Sequence, residues 1–145
     1  MKDSQGSDKT YTFRLTSNSK NNRVHLFESA IDLLSYATLK ELKNEQWDEE
    51  NLLSLAGVYS PGKDVLNSKI PDTLTTFLKN NTNIDTIIIH FDNDEAGRKA
   101  TIGIQNSLSD SFTVIDDPPK SGKDFNDFLC NYLCINRQKK YENCR

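Results

Sequence analysis

Asp92 and Asp94 stand two apart in the stretch IIIHFDNDEAGRKA, directly after an apolar run. In extended backbone, residues i and i+2 point to the same side. Two carboxylates about 6 Å apart repel by about 3 kcal/mol at an effective dielectric near 20. A divalent cation turns that repulsion into attraction, and Mg2+ suits the case because it takes carboxylate oxygens, keeps several waters and leaves room for phosphate. A structural reading competes. Aspartate is a favoured helix N-cap, and acids in a first turn meet the positive end of the helix dipole. Asp94 or Glu95 can serve only to start a helix, and the stretch by itself leaves both readings open.

An EF-hand is excluded, because counting from Asp92 puts Ala96 at the fifth position and Gly103 at the twelfth, where a bidentate glutamate belongs. No G-x-x-x-x-G-K-[ST] phosphate loop occurs; SPGKD and SGKD are too short. Gly97 in a first helical turn costs about 1 kcal/mol relative to alanine, a cost explained by close approach of a ligand or of another backbone. Arg98 then flanks the helix start, where a phosphate can use its guanidinium and the N-terminal amides; otherwise it is a solvated arginine. Four further acidic residues matter. Glu28 ends the segment RVHLFE, either as a first-turn glutamate or as a third carboxylate beside Asp92. Asp116 and Asp117 end SFTVIDD. In DDPPKSGKDFNDFL, Asp124 reads first as the N-cap of a final helix, and Lys123 with Asp124 can also face the site.

The elements that must position these residues alternate. YTFRL and RVHLFE read as strands, with SNSKNN as a turn between them. In SAIDLLSYATLKELK, Ile31, Leu34, Leu42 and their neighbours recur at helical spacing. NLLSLAGV is a strand, SPGKDVLNSKIP a loop, and PDTLTTFLKNN a helix with Pro71 near its start. DTIIIHFD is almost continuously apolar, as a strand covered on both faces should be. EAGRKATIGIQNSL is helical and SFTVIDD another strand. The last segment puts Phe125, Phe128, Leu129, Tyr132 and Leu133 on one face of an amphipathic helix. The expected fold is α/β, a mostly parallel sheet with helices on both faces. Sites in such sheets lie beyond the carboxyl ends of the strands.

The 145 residues carry a formal net charge of −3. Bulk electrostatics therefore does not hold this chain on nucleic acid, and contact with a polyanion must be local. No apolar run approaches the roughly 20 residues of a membrane span. The opening MKDSQGSDK has no apolar run of the signal-peptide kind, so a cytoplasmic location is expected. Cys130, Cys134 and Cys144 are odd in number and far in sequence from His25 and His90, so neither a disulfide framework nor a zinc site is expected.

Together these residues resemble a toprim domain, the catalytic fold shared by topoisomerases, bacterial-type primases, OLD-family nucleases and RecR-like repair proteins. The resemblance rests on a glutamate ending the first core strand (VHLFESAIDLLS) and D-x-D-x-x-G-R ending a later one (HFDNDEAGRKA). It is nearest to toprim domains of primase-like proteins of plasmids and other mobile elements. There, FESAIDLLS, an LLSLGGV-like strand, LDNDxAGRxA and PPxxGKDxND follow in the same order. It covers about residues 10–137, with polar tails expected at 1–9 and 138–145.

The resemblance implies a Rossmann-like toprim fold, Mg2+ (or Mn2+) at the acidic cluster, and phosphodiester or nucleotidyl-transfer chemistry on DNA or RNA. Carried over by residue, Glu28 is a general acid/base or metal ligand, and Asp92 and Asp94 are the metal pair. Arg98 and Lys123 are phosphate contacts, and Asp124 is a loop or second-metal residue. A primase-like replication domain, a toprim nuclease and a non-catalytic RecR-like assembly module all remain open. The zinc module and basic subdomain of bacterial-type primases, and the tyrosine domain of topoisomerases, are not seen in these residues. A fragment of a longer protein or a stand-alone toprim protein is therefore expected, reaching nucleic acid through additional domains or partners.

Overall fold

The computed structural model describes residues 14–16, 21–55 and 70–143, with the backbone alone for 139–143. Among the described residues, five strands and four helices follow one another: β1 (Arg14–Leu15), β2 (Arg23–Phe27), α1 (Ala30–Leu42), β3 (Asn51–Ser54), α2 (Asp72–Asn80), β4 (Thr86–Ile89), α3 (Glu95–Leu108), β5 (Thr113–Asp116) and α4 (Phe125–Asn143). The sheet order is β1-β3-β2-β4-β5. β2, β3, β4 and β5 are parallel, and only the edge strand β1 runs antiparallel. Tyr11–Phe13 of YTFRL, most of SNSKNN, the end of NLLSLAGV and nearly all of SPGKDVLNSKIP lie outside the described residues.

The alternation of β2 divides the core. Val24 and Leu26, with Ile87 and Ile89 of β4, pack against Leu74 and Phe77 of α2 and Ala100, Ile104 and Leu108 of α3. Phe27 and Leu52 face the other way, onto Leu33, Tyr36, Ala37 and Leu39 of α1 and Phe125 of α4. Both faces of the central strands are therefore covered, which is why β4 reads as an unbroken apolar run.

Two helices differ from their sequence pattern. Ile31, Leu34 and Leu42 recur at helical spacing but are the exposed side of α1, at 64%, 46% and 45% exposure. The buried side carries Asp32 and Ser35 among Leu33, Tyr36, Ala37 and Leu39. This helix is apolar on both faces, so spacing alone does not say which face docks. In α4, Phe125 is buried and Phe128, Leu129 and Tyr132 pack partly against α1, whereas Leu133 is exposed. Its helical backbone continues through Asn143, past residue 137. Gln138, Lys139, Lys140 and Glu142 there are good helix formers.

One polar feature sits inside the α1 side of the sheet. The rings of His25 and His90 lie nearly coplanar, with His25 Nδ1 and His90 Nε2 2.8 Å apart. His90 Nδ1 lies 2.7 Å from the Asp117 carbonyl oxygen, which can only accept, so Nδ1 carries the proton. Neutral His90 then accepts at Nε2 from His25 Nδ1–H. Burial lowers both imidazoles, His90 to about 3. Among the described residues, no helix is long and apolar enough to cross a membrane.

Candidate metal centre

β2 leads through α1 to β3 on one side of it, while β4 lies on the other side and leads on to β5. The carboxyl ends of β2 and β4 therefore flank a topological switch point, the crevice where open α/β sheets place ligands. Glu28 follows β2 directly and Asp92 is the third residue after β4. Glu28 is buried, and its Oε2 accepts from the Asp92 backbone N–H at 2.9 Å. That bond ties the two strand ends together.

Three carboxylates converge in the crevice. One oxygen each from Asp32, Asp92 and Asp124 lies within 4.8 Å of the others. Each comes from a different strand–helix junction. Asp32 is in the first turn of α1, where Ser29 caps the helix by accepting from Asp32 N–H at 3.3 Å. The Ser29 hydroxyl donates back to Asp32 Oδ2 at 3.0 Å. Asp124 precedes α4, and its Oδ1 accepts from Asp127 N–H at 2.8 Å.

The electrostatics are those of a crowded anionic site. Burial pushes the Asp92 carboxyl up to about 8, and contact with Glu28 and the charges of Asp32 and Asp124 add to the rise. Burial also raises Asp32. Such groups gain from a cation that replaces the missing solvation. Among the described residues the donor set is all carboxylate oxygen, which fits a hard divalent ion such as Mg2+ or Mn2+.

Asp94, expected beside Asp92, is not among those three carboxylates. It is the N-cap of α3: its backbone is extended and Oδ1 accepts from Gly97 N–H at 2.7 Å. Its Oδ2 faces Lys123 Nζ at 3.6 Å. The charges of Asp94 and then Asp92 raise the Lys123 ammonium pKa. Gly97 resolves towards close backbone approach, since a Cβ there would collide with the carbonyl oxygen of Asp92. Arg98 is not a solvated arginine. Its Nη1 donates to Asp116 Oδ2 at 2.7 Å and its Nη2 to the Phe91 carbonyl at 3.3 Å, while Nε is buried without a partner among the described residues. It braces the ends of β4 and β5.

Asp32 escaped the sequence reading because Ile31 and Leu34 mark the wrong face of α1. A signal was present: Ser29-x-x-Asp32 is a capping pair one turn after Glu28, and it turns an acid towards the strand end.

Residues 25–129 match a family model described as Toprim-like. This chain belongs to that family. Among solved structures it is similar to the primase fragment of the bacteriophage T7 primase-helicase protein, at 19% identity and a TM-score of 0.45. The likeness covers 83% of this chain but only 43% of that one, so the chain spans less than half the length of that fragment. No curated protein matches.

Proposed function

We propose that this toprim domain carries out divalent-metal-dependent nucleotidyl transfer on nucleic acid, as the catalytic part of a primase-like replication protein of a mobile element. The supporting observation is the convergence of Asp32, Asp92 and Asp124 within 4.8 Å at the switch point. These three would hold Mg2+ or Mn2+. The ion, when bound, would neutralise phosphate charge and orient the attacking oxygen.

The chain's own residues divide the rest of the work. Glu28 fixes the Asp92 backbone and would take or return a proton beside Asp92. Asp94 starts α3 and holds Lys123 at the mouth, where the ammonium can meet a phosphate. Arg98 secures the floor, with Nε as its unspent donor. Residues 10–137 would form the domain, working in the cytoplasm. The primase reading rests on the four ordered motifs, and further domains or partners would supply nucleic-acid affinity, given the net charge of −3.

Calorimetric titration with Mn2+ followed by primer-synthesis and nuclease assays tests this. Metal binding lost in Asp92→Asn, with primer synthesis by the full-length parent, supports the proposal. Cleavage without synthesis would make it a nuclease. No binding at several millimolar metal would leave an assembly module.

A further inference from the structure

Asn93 lies between the two aspartates, and its side chain is hydrogen-bonded to the loop that follows β5. Its backbone N–H donates to the Lys123 carbonyl at 2.7 Å. Its Nδ2 donates to the Pro119 carbonyl at 2.7 Å and to the Gly122 carbonyl at 3.3 Å. The donors of this residue are thus spent on one loop, 118–123, which carries Lys123 and leads into Asp124.

The loop is fixed independently at both ends. At its start, Asp117 N–H donates to the Ile89 carbonyl at 2.8 Å, and His90 holds the Asp117 carbonyl. At its end, Asp127 Oδ2 accepts from Lys123 N–H at 3.2 Å. Gly122 makes that turn at φ +77°, and a Cβ there would lie 2.5 Å from Asp127 Cβ. Between these anchors, Asn93 supplies the tie to the β4–α3 corner.

We propose that Asn93 is a positioning residue, a latch that holds the Lys123–Asp124 loop against the Asp92–Asp94 corner and so sets the spacing of the three carboxylates. The inference rests on the metal-binding reading above. The chemistry selects asparagine: a short side chain with two N–H donors meets two carbonyl oxygens. Aspartate has the same shape but no donor and would face those carbonyls with lone pairs. Serine has one donor, and glutamine is a methylene longer. Since both loop ends stay anchored without Asn93, its loss should loosen the loop locally and leave the fold intact.

The test uses the full 145-residue chain. In Asn93→Ala, Mn2+ affinity measured by calorimetry should fall about tenfold, the scale of a lost supporting contact. Asn93→Asp should fall at least as far, and Asn93→Ser should lie between, which keeps the test usable should the alanine variant fold poorly. The diagnostic readout is coupling: with Asp124→Asn already present, Asn93→Ala should weaken binding by less than about twofold. Amide exchange at position 93 and at Lys123 should also quicken in Asn93→Ala, with or without metal. Wild-type affinity in Asn93→Ala, or penalties that multiply with Asp124→Asn, would overturn the proposal. If the wild type binds no metal, the proposed function fails and the latch is judged by amide exchange, where unchanged rates overturn it and faster rates support it.

Discussion

The β2–α1 and β4–α3 corners start from the same materials and end differently. Each has an acid beyond a strand, Glu28 or Asp92, and a second acid at the helix start, Asp32 or Asp94. At the first corner Ser29 caps the helix, so the Asp32 carboxylate is not needed as a cap and turns into the crevice. At the second, Asp94 is itself the cap, and its oxygens go to Gly97 N–H and towards Lys123. At these two corners the cap separates the acid that joins the carboxylate cluster from the one that does not. The Ser29 hydroxyl caps α1 in place of Asp32, whereas Asp94 caps α3 itself.

The sharpest break of this contrast is in metal affinity. Asp92→Asn is expected to lose more than the roughly 10–100-fold that a supporting residue costs, and Asp32→Asn should behave alike. Asp94→Asn should lose far less, since asparagine caps about as well as aspartate. Titration of the three variants with Mn2+ reads this directly.

Stability should sharpen it next. Gly97→Ala drives a Cβ into the Asp92 carbonyl and should lower stability by about 1–3 kcal/mol in denaturant melts. The flanking Ala96→Gly, on the exposed side of α3, should cost no more than about 1 kcal/mol.

The pH dependence of the metal-free chain separates two groups of opposite sign, the half-buried Asp92 and the buried His90. The Asp92 carboxyl is raised from 3.8 to about 8, so its contribution is present below pH 4 and is lost as pH rises towards 8. Asp92→Asn should therefore melt higher than wild type at pH 8, and the gap should close below pH 4 or on adding Mg2+. His90 is lowered from 6.5 to about 3, so folding keeps it neutral while the unfolded chain takes a proton. Its contribution is present above pH 6.5 and is lost as pH falls, with a slope of at most about 1.4 kcal/mol per pH unit. His90→Gln should flatten the acid limb of a melting-temperature profile. The smallest effect should be that of Asp94→Asn on the metal-free melt, within about 0.5 kcal/mol of wild type.

Much of the architecture was legible because its causes are local. The unbroken apolar run of β4, the alternation of strands with helices and the acids at strand ends are written in consecutive residues. What was hidden depends on contacts far apart in the chain. The face of α1 could not be read because both of its sides are apolar, and with it went Asp32. The pairing of His25 with His90 spans two strands that are neighbours only in the folded sheet. The Asn93 contacts cross from one loop to another. Gly97 was recognised as a site of close approach, but only the fold shows that the close atom belongs to Asp92.

The most direct measurement is a Mn2+ titration of Asp32→Asn beside Asp94→Asn in the same buffer. If Asp32, Asp92 and Asp124 hold the cation, Asp32→Asn should abolish tight binding and Asp94→Asn should keep most of it. Wild-type binding by Asp32→Asn, with binding lost in Asp94→Asn, would contradict that assignment.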